Sequence, residues 1–211
     1  MKFELLVFDW DGTLMDSESR ILACVKAAFA DLRLVPPSDE AISNIIGLGL
    51  REAVDSLIPG ADDDLHQQIV SRYRVHYFDE NRTPSQLFSG AREVIETLAA
   101  QDYLLAVATG KGRRGLNMVL QATGLVGFFH STRCADETYS KPHPEMLQQI
   151  LDELGVAPEQ ALMIGDTEYD LQMAANAGMP CLAVTYGVHE AARLRRHQPL
   201  ACLDSVTAIP P

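Results

Sequence analysis

The chain has 211 residues, of which 47% are hydrophobic and 22% are charged. This length and composition predict a globular protein with one main core and a modest insertion. The formal net charge of −12 argues against a nonspecific nucleic-acid binder, because an acidic surface repels the phosphate backbone. No apolar run approaches the roughly 20 residues of a membrane span, and no leader-like segment precedes Phe3. We therefore expect a soluble, cytoplasmic protein with no nucleic-acid or membrane partner.

The first predicted element is a buried strand near the N-terminus. The run Leu5-Leu6-Val7-Phe8 is apolar, too short for a helix, and followed closely by Asp9, Asp11 and Gly12. Such a run is typical of a strand in a sheet that is covered on both faces. We predict that the strand ends at Asp9 and that a turn through Gly12 follows, so that two carboxylates lie at its carboxyl end.

The interval from residue 16 to residue 84 predicts helices only. Amphipathic spacing indicates a first helix from Asp16 to about Leu32 and a second helix that Ser38 caps. A third helix is predicted over roughly residues 50–57. The acidic run 62–64 suits the N-terminus of a fourth helix, which continues to Tyr77. No strand candidate is found in this interval.

From residue 85 onward, strands and helices alternate. Apolar runs predict strands over 103–108, 128–134, 161–164 and 181–184, with helical patterns between them. This alternation is typical of a parallel sheet with helices on both faces. We therefore predict an α/β fold: a doubly wound, Rossmann-like core over residues 1–15 and 85–211, with an inserted α-helical cap over residues 16–84.

Polar residues follow the predicted strands at their carboxyl ends. Asp9 and Asp11 follow the first strand, Thr109 follows the second, and Asp166 follows the strand that ends at residue 164. Ligands of open α/β sheets bind at this edge, and Lys141 is placed where it can reach it. Several carboxylates on one rim repel each other unless a positive group lies among them. A hard divalent cation with oxygen ligands, above all Mg²⁺, meets that need.

Four short motifs occur in order along the chain. They are Asp9-x-Asp11-Gly12-Thr13, Thr109-Gly110-Lys111, Lys141-Pro142 and Gly165-Asp166-Thr167-x-x-Asp170. Together they resemble the motifs of the haloacid dehalogenase superfamily, and the match spans nearly the whole chain. The helical insertion directly after the first motif is similar to the small cap of the phosphoglycolate phosphatase-like group. The resemblance implies a phosphatase that acts on a small phosphorylated metabolite.

The resemblance also implies a role for each residue of the reaction. Asp9 would attack phosphorus and form an aspartyl-phosphate, which water then hydrolyses. Asp11 would protonate the leaving oxygen and later activate that water. Thr109, the backbone amide of Gly110 and the catalytic Lys141 would hold the phosphoryl oxygens.

A magnesium site is implied by the same resemblance. Mg²⁺ would be bound by the Asp9 carboxylate, the Asp11 backbone carbonyl and Asp166, with Asp170 nearby or acting through water. A simpler interpretation of Asp166 and Asp170 is that they stabilise a helix N-terminus, which acidic residues often do.

Substrate choice is expected to depend on the cap. Arg51 falls in the first turn of a predicted cap helix, where a cation opposes the helix dipole and gains nothing locally. We therefore predict that Arg51 binds an anionic group of the substrate, and the simpler alternative is a solvent-facing arginine. The same two interpretations, an anion-binding and a solvent-facing arginine, apply to Arg113 and Arg114, which lie near the start of the helix after Thr109.

Three other functions stay open on the sequence alone. A sugar-phosphate mutase with the same cap type would release an isomerised product rather than free phosphate. A phosphoacceptor domain uses similar residues around Mg²⁺ but would lack a helical insertion of this size, and a binding protein without turnover is the third alternative. The sequence does not name the substrate, and a monomer or a homodimer is expected.

Overall fold

A computed structural model describes residues 3–209. Within this range it contains eight strands: β1 (Leu5–Phe8), β2 (Met15–Asp16), β3 (Gln86–Leu87), β4 (Leu104–Thr109), β5 (Ser131–Cys134), β6 (Ala161–Gly165), β7 (Cys181–Val184) and β8 (Cys202–Leu203). Six of them form one parallel sheet in the order β5-β4-β1-β6-β7-β8, while β2 and β3 pair in a separate antiparallel ribbon.

Nine α-helices occur in the same range. They are α1 (Glu18–Asp31), α2 (Asp39–Asn44), α3 (Leu50–Leu57), α4 (Asp63–Val75), α5 (Ala91–Ala100), α6 (Arg113–Thr123), α7 (Glu145–Leu154), α8 (Glu168–Asn176) and α9 (Ala191–Leu194). Helices α5 and α6 pack on one face of the large sheet, and α7, α8 and α9 pack on the other. The predicted doubly wound α/β fold is therefore confirmed. None of the described helices is both long and apolar enough to cross a bilayer.

Strand β1 shows why its sequence is apolar throughout. Leu6 and Phe8 pack on the side of α5 and α6, whereas Leu5 and Val7 pack on the side of α7 and α8. Successive side chains of a strand point to opposite faces, and both faces of this sheet are covered. The strand ends one residue earlier than predicted, so Asp9 is the first residue beyond it.

The four helices α1–α4, which we call the cap, pack around an apolar interior of their own. Ser38, the predicted cap, accepts a hydrogen bond from the backbone N–H three residues later at 3.2 Å, and Asp62, from the acidic run at the start of α4, does the same at 2.9 Å. Helix α3 has the predicted bounds. The fourth helix ends at Val75 and continues as a π-helical turn over His76–Glu80.

Three short strands were not predicted from the sequence. The ribbon strands β2 and β3 and the edge strand β8 have two residues each, which is too short for an alternating pattern to show. Asp16 lies in β2, so the prediction of helices only was wrong at that residue. The ribbon leads into and out of the cap. The predicted boundaries at 15/16 and 84/85 fall at this ribbon, and the division itself stays a prediction.

Candidate active site

Three parallel strands bring predicted site residues to one edge of the sheet. Asp9 directly follows β1, Thr109 is the last residue of β4, and Asp166 directly follows β6. Because β1 pairs in register with both β4 and β6, the carboxyl ends of these strands are neighbours. All three residues are fully buried. The edge is therefore a buried polar site.

Lys141 connects Asp9 to Asp170. Its Nζ donates to Asp9 Oδ1 and to Asp170 Oδ1, both at 2.6 Å. Burial on its own would lower the pKa of Lys141, but Asp170 and Asp9 raise it above the ordinary range. Burial also raises the pKa of Asp9, and the Lys141 ammonium opposes that effect. The lysine therefore stabilises two carboxylates that would otherwise repel each other.

Asp166 is held by donors from two distant segments. The Thr13 hydroxyl donates to Oδ1 at 2.8 Å, and the Val188 backbone N–H donates to Oδ2 at 2.9 Å. Burial, reinforced by repulsion from Asp170, raises the pKa of Asp166 to about 7. Gly12 has a φ of +84°, and a Cβ there would lie 2.2 Å from Asp166 Oδ2. Both backbone conformation and space therefore require glycine at this position.

Asp9, Asp166 and Asp170 form a candidate cation site. One carboxylate oxygen from each lies within 4.8 Å of the others. Asp9 Oδ2 is buried and has no hydrogen-bond partner among the described residues. Carboxylate oxygens are the preferred ligands of hard divalent cations, so this set of residues fits such an ion.

Asp170 contacts Thr167 in addition to Lys141. Its Oδ2 accepts hydrogen bonds from the Thr167 backbone N–H at 3.1 Å and from the Thr167 hydroxyl at 2.7 Å. Thr167 in turn caps α8, so the two residues form a capping box. The simpler interpretation of Asp170 as a helix-stabilising acid is therefore correct, and it coexists with the contact to Lys141.

Asp11 lies outside the three-carboxylate cluster and pairs with a different lysine. Lys111 Nζ lies 2.8 Å from both carboxylate oxygens of Asp11, and Ser17 Oγ donates to Asp11 Oδ1 at 2.5 Å. The Lys111 ammonium also lies 4.8 Å from the centre of the Tyr77 ring. Burial on its own would lower the pKa of Lys111, but Asp11, Tyr77 and Tyr73 raise it. The Asp11 side chain thus contacts groups at the boundary between core and cap.

Thr109 and Gly110 also lie at that boundary. The Thr109 hydroxyl accepts a hydrogen bond from the backbone N–H two residues later, at 3.2 Å. Gly110 lies against the cap, and a Cβ there would be 2.4 Å from the carbonyl oxygen of Gly47. The Gly49 backbone N–H donates to Ser140 Oγ at 2.8 Å. The segment that connects α2 to α3 therefore touches the core on two sides of the site.

Arg51 is not brought to this site. Its side chain is 70% exposed and pairs at 2.9 Å with Asp63, whose side chain is 79% exposed. Asp63, in the first turn of α4, supplies a charge partner for Arg51, so the structure gives this arginine a local contact without a substrate. Arg113 pairs with Glu137 at 2.7 Å. Arg114 lies 4.0 Å from the centre of an aromatic ring of the π-helical turn.

Several residues contact the site although the sequence predicted no role for them, and they include Lys111, Ser17, Ser140 and Val188. For Lys111 a signal existed, since it directly follows Thr109-Gly110 and a rim with many acids needs cations. Ser17 and Ser140 carry no such signal, because serine is common in loops and a single sequence does not show their distant partners.

Comparison with known proteins identifies the family. A family model described as haloacid dehalogenase-like hydrolase matches residues 6–184. The chain belongs to this family. The relative named "Probable phosphatase IndB", from Dickeya dadantii, is 33% identical over 209 residues, which cover 97% of this chain and 91% of the relative. A phosphoglycolate phosphatase from Nitrosococcus oceani is 28% identical and covers 98% of this chain and 94% of its own length.

The solved structures agree with this assignment. A crystal structure of a haloacid dehalogenase-like hydrolase from Bacteroides fragilis superposes with a TM-score of 0.90 at 25% identity. The match covers 97% of this chain and 98% of that one. The resemblance predicted from the four motifs is therefore confirmed, and the chain is a hydrolase of the haloacid dehalogenase-like family.

Proposed function

We propose that this hydrolase is a Mg²⁺-dependent phosphatase that cleaves a small phosphomonoester through an aspartyl-phosphate on Asp9. One observation carries the proposal: Lys141 holds Asp9 Oδ1 at 2.6 Å, while the buried Oδ2 has no partner among residues 3–209. A carboxylate fixed by one oxygen, with the other oxygen unpartnered at a strand end, suits nucleophilic attack. The phosphatase names of two relatives support the same reaction class.

The first half of the reaction forms the phosphoenzyme. Asp9 Oδ2 attacks phosphorus, and the bond between phosphorus and the ester oxygen breaks. Asp11 gives its carboxyl proton to that oxygen, which leaves as an alcohol. Lys141, the Thr109 hydroxyl and the Gly110 backbone amide stabilise the charge on the phosphoryl oxygens.

The second half releases phosphate. Water attacks the phosphorus of the aspartyl-phosphate, and Asp11 accepts the proton of that water. The bond between phosphorus and Asp9 breaks, which frees inorganic phosphate. Asp9 is then ionised, and the proton that Asp11 takes from water replaces the one that it gave to the alcohol, so protons balance over the cycle.

The metal site would use groups that surround the nucleophile. The Asp9 carboxylate, the Asp11 backbone carbonyl and Asp166 would hold Mg²⁺, with Asp170 nearby. When bound, the ion neutralises negative charge on the phosphoryl oxygens. Asp170, whose two oxygens bind Lys141 and Thr167, would chiefly position that lysine.

Phosphate release from a panel of small phosphomonoesters, with Mg²⁺ and with EDTA, tests the proposal. We expect turnover that requires the metal and that falls by about three orders of magnitude or more in Asp9→Asn. Asp152→Asn, at an exposed position on α7, is the matched control and should keep wild-type turnover. Steady turnover by the Asp9→Asn protein would remove Asp9 as the nucleophile.

The same assay separates the phosphatase from its alternatives. A mutase yields an isomerised sugar phosphate, and a phosphoacceptor domain holds its phosphate without steady turnover. Release of one free phosphate for each ester consumed, over many turnovers, supports the phosphatase. The cytoplasmic location and the monomeric or dimeric state stay predictions.

A further inference from the structure

A cavity of about 370 Å³ lies inside the cap next to the catalytic edge. This volume falls within the range of small-molecule sites. Cap helices supply most of the wall, including Ile21, Val25, Phe29, Val54, Ile69 and Tyr73. We propose that the cavity binds the leaving group, and that the substrate is the phosphomonoester of an alcohol that carries an aromatic ring. This inference rests on the phosphatase function proposed above.

The position of the cavity connects it to the leaving group. Asp11, Gly110 and Lys111 line its inner end, whereas Asp9 is not among the lining residues. In the proposed reaction Asp11 gives its proton to the ester oxygen, so the alcohol lies on the Asp11 side of phosphorus. A substrate with its phosphoryl group beside Asp9 would therefore extend its alcohol past Asp11 into the cap.

The wall of the cavity suits a flat ring. Tyr73 and Tyr77 stack with their ring centres 5.7 Å apart, and both line the cavity together with Phe29 and Phe78. A ring placed among aromatic side chains gains from offset or edge contacts in addition to the removal of apolar area from water. An aromatic alcohol thus fits this wall better than an aliphatic one of the same size.

The same wall disfavours a small carboxylate, such as the one in phosphoglycolate. Lys111 lines the cavity, but its ammonium group is already paired with both oxygens of Asp11 at 2.8 Å and is not left over for a substrate carboxylate. Arg74 and Arg114 also line the cavity, but both are exposed and border a depression on the outer surface of the cap. A carboxylate close to Asp11 would lie among apolar side chains, where an unpaired charge is costly.

Kinetics with two matched alkyl esters tests the inference. Ethyl phosphate and 2-phenylethyl phosphate have leaving groups of similar reactivity, so their difference reports recognition of the ring. We expect kcat/KM to be at least about tenfold higher for 2-phenylethyl phosphate than for ethyl phosphate or phosphoglycolate. Titration of the Asp9→Asn protein with both alkyl esters should show the same order of affinity without turnover.

Two alanines on α1 supply a variant and its control. Ala28 is 0% exposed and lines the cavity, whereas Ala30 is exposed on the same helix. Ala28→Leu fills part of the cavity and should lower the preference for 2-phenylethyl phosphate over ethyl phosphate by about fivefold or more. Ala30→Leu should leave that preference unchanged.

The possible outcomes distinguish failure of this inference from failure of the phosphatase proposal. Equal kcat/KM for the two alkyl esters, or a higher value for phosphoglycolate, overturns the aromatic leaving group and leaves the phosphatase intact. An unchanged preference in Ala28→Leu, with the variant folded by circular dichroism, overturns the placement of the ring in the cavity. Absence of turnover with every ester overturns the phosphatase function and this inference with it.

Discussion

Lys111 and Asp11 form a buried ion pair between segments 100 residues apart in the sequence, with Nζ 2.8 Å from each carboxylate oxygen. Lys111 is 9% exposed and Asp11 is 7% exposed. Removing one member of a buried pair leaves the other charge without compensation, whereas removing both charges costs much less. The pair therefore ties the segment after β4 to the segment after β1.

Lys111→Met should lower the free energy of unfolding by about 3–5 kcal/mol, because Asp11 then stays buried without its cation. The double variant Lys111→Met/Asp11→Asn should regain most of that loss. Urea unfolding of wild type, both single variants and the double variant measures the coupling. A double variant whose loss equals the sum of the two single losses would show that the pair contributes no interaction energy.

Asp11→Asn should slow breakdown of the phosphoenzyme more than its formation. The asparagine amide is too weak a base to accept the proton of the attacking water, so hydrolysis should fall by about 10²–10⁴-fold, the usual contribution of a general base. Acid quenching after mixing with labelled substrate should then trap label on the protein. The Asp9→Asn protein is the control and should carry no label, and wild-type turnover by Asp11→Asn would contradict the role.

The outline of this fold follows from local sequence. Residues that are neighbours in the chain determine strand β1, the bounds of α3 and the capping by Ser38 and Asp62. Periodicity and capping preferences are therefore enough to predict such features. Asp9, Thr109 and Asp166 could also be placed together, because the ends of parallel strands share an edge.

Other features depend on contacts that a single sequence does not show. The pairing of Asp11 with Lys111 and the hydrogen bond from Gly49 to Ser140 join segments that only the packing of cap on core brings together. Arg51 is a residue for which the sequence indicated a distant contact and the structure shows a nearby one. Its position in the first turn of α3 is as predicted, but its charge partner Asp63 lies on the next helix, which the sequence did not indicate, and its contact with a substrate anion stays a prediction.

The pKa of Asp166, raised from its ordinary value of 3.8 to about 7, predicts a pH-dependent cost in the metal-free protein. Below pH 4 the carboxyl is protonated in both the folded and the unfolded state, so the cost is absent. It grows between pH 4 and pH 7, because the unfolded state ionises first, and it is complete above pH 7. Stability from this group is therefore lost as the pH rises.

Asp166→Asn should remove this dependence. In EDTA, the stability of the variant relative to wild type should rise by up to a few kcal/mol between pH 4 and pH 7. Added Mg²⁺ should raise the Tm of wild type at pH 7.5 and leave the Tm of the variant nearly unchanged, since the ion stabilises only a fold that binds it. A stability difference that is constant over this pH range would contradict the raised pKa.

Gly110→Ala should impair closure of the cap on the core. A Cβ at Gly110 would lie 2.4 Å from the carbonyl oxygen of Gly47 and 2.5 Å from that of Leu48, so backbone on one side must move. Misplacement of groups around a reacting centre by about 1 Å can cost roughly 100-fold, and we expect kcat/KM to fall by about 10–100-fold. The free energy of unfolding should change little, because the cap can move aside while the hydrophobic interiors of the core and of the cap stay intact.

Gly127→Ala, where a Cβ meets no atom within 4 Å, is the matched control and should keep wild-type kcat/KM. Wild-type kinetics in Gly110→Ala would mean that the reaction does not require the close contact between Gly110 and the cap.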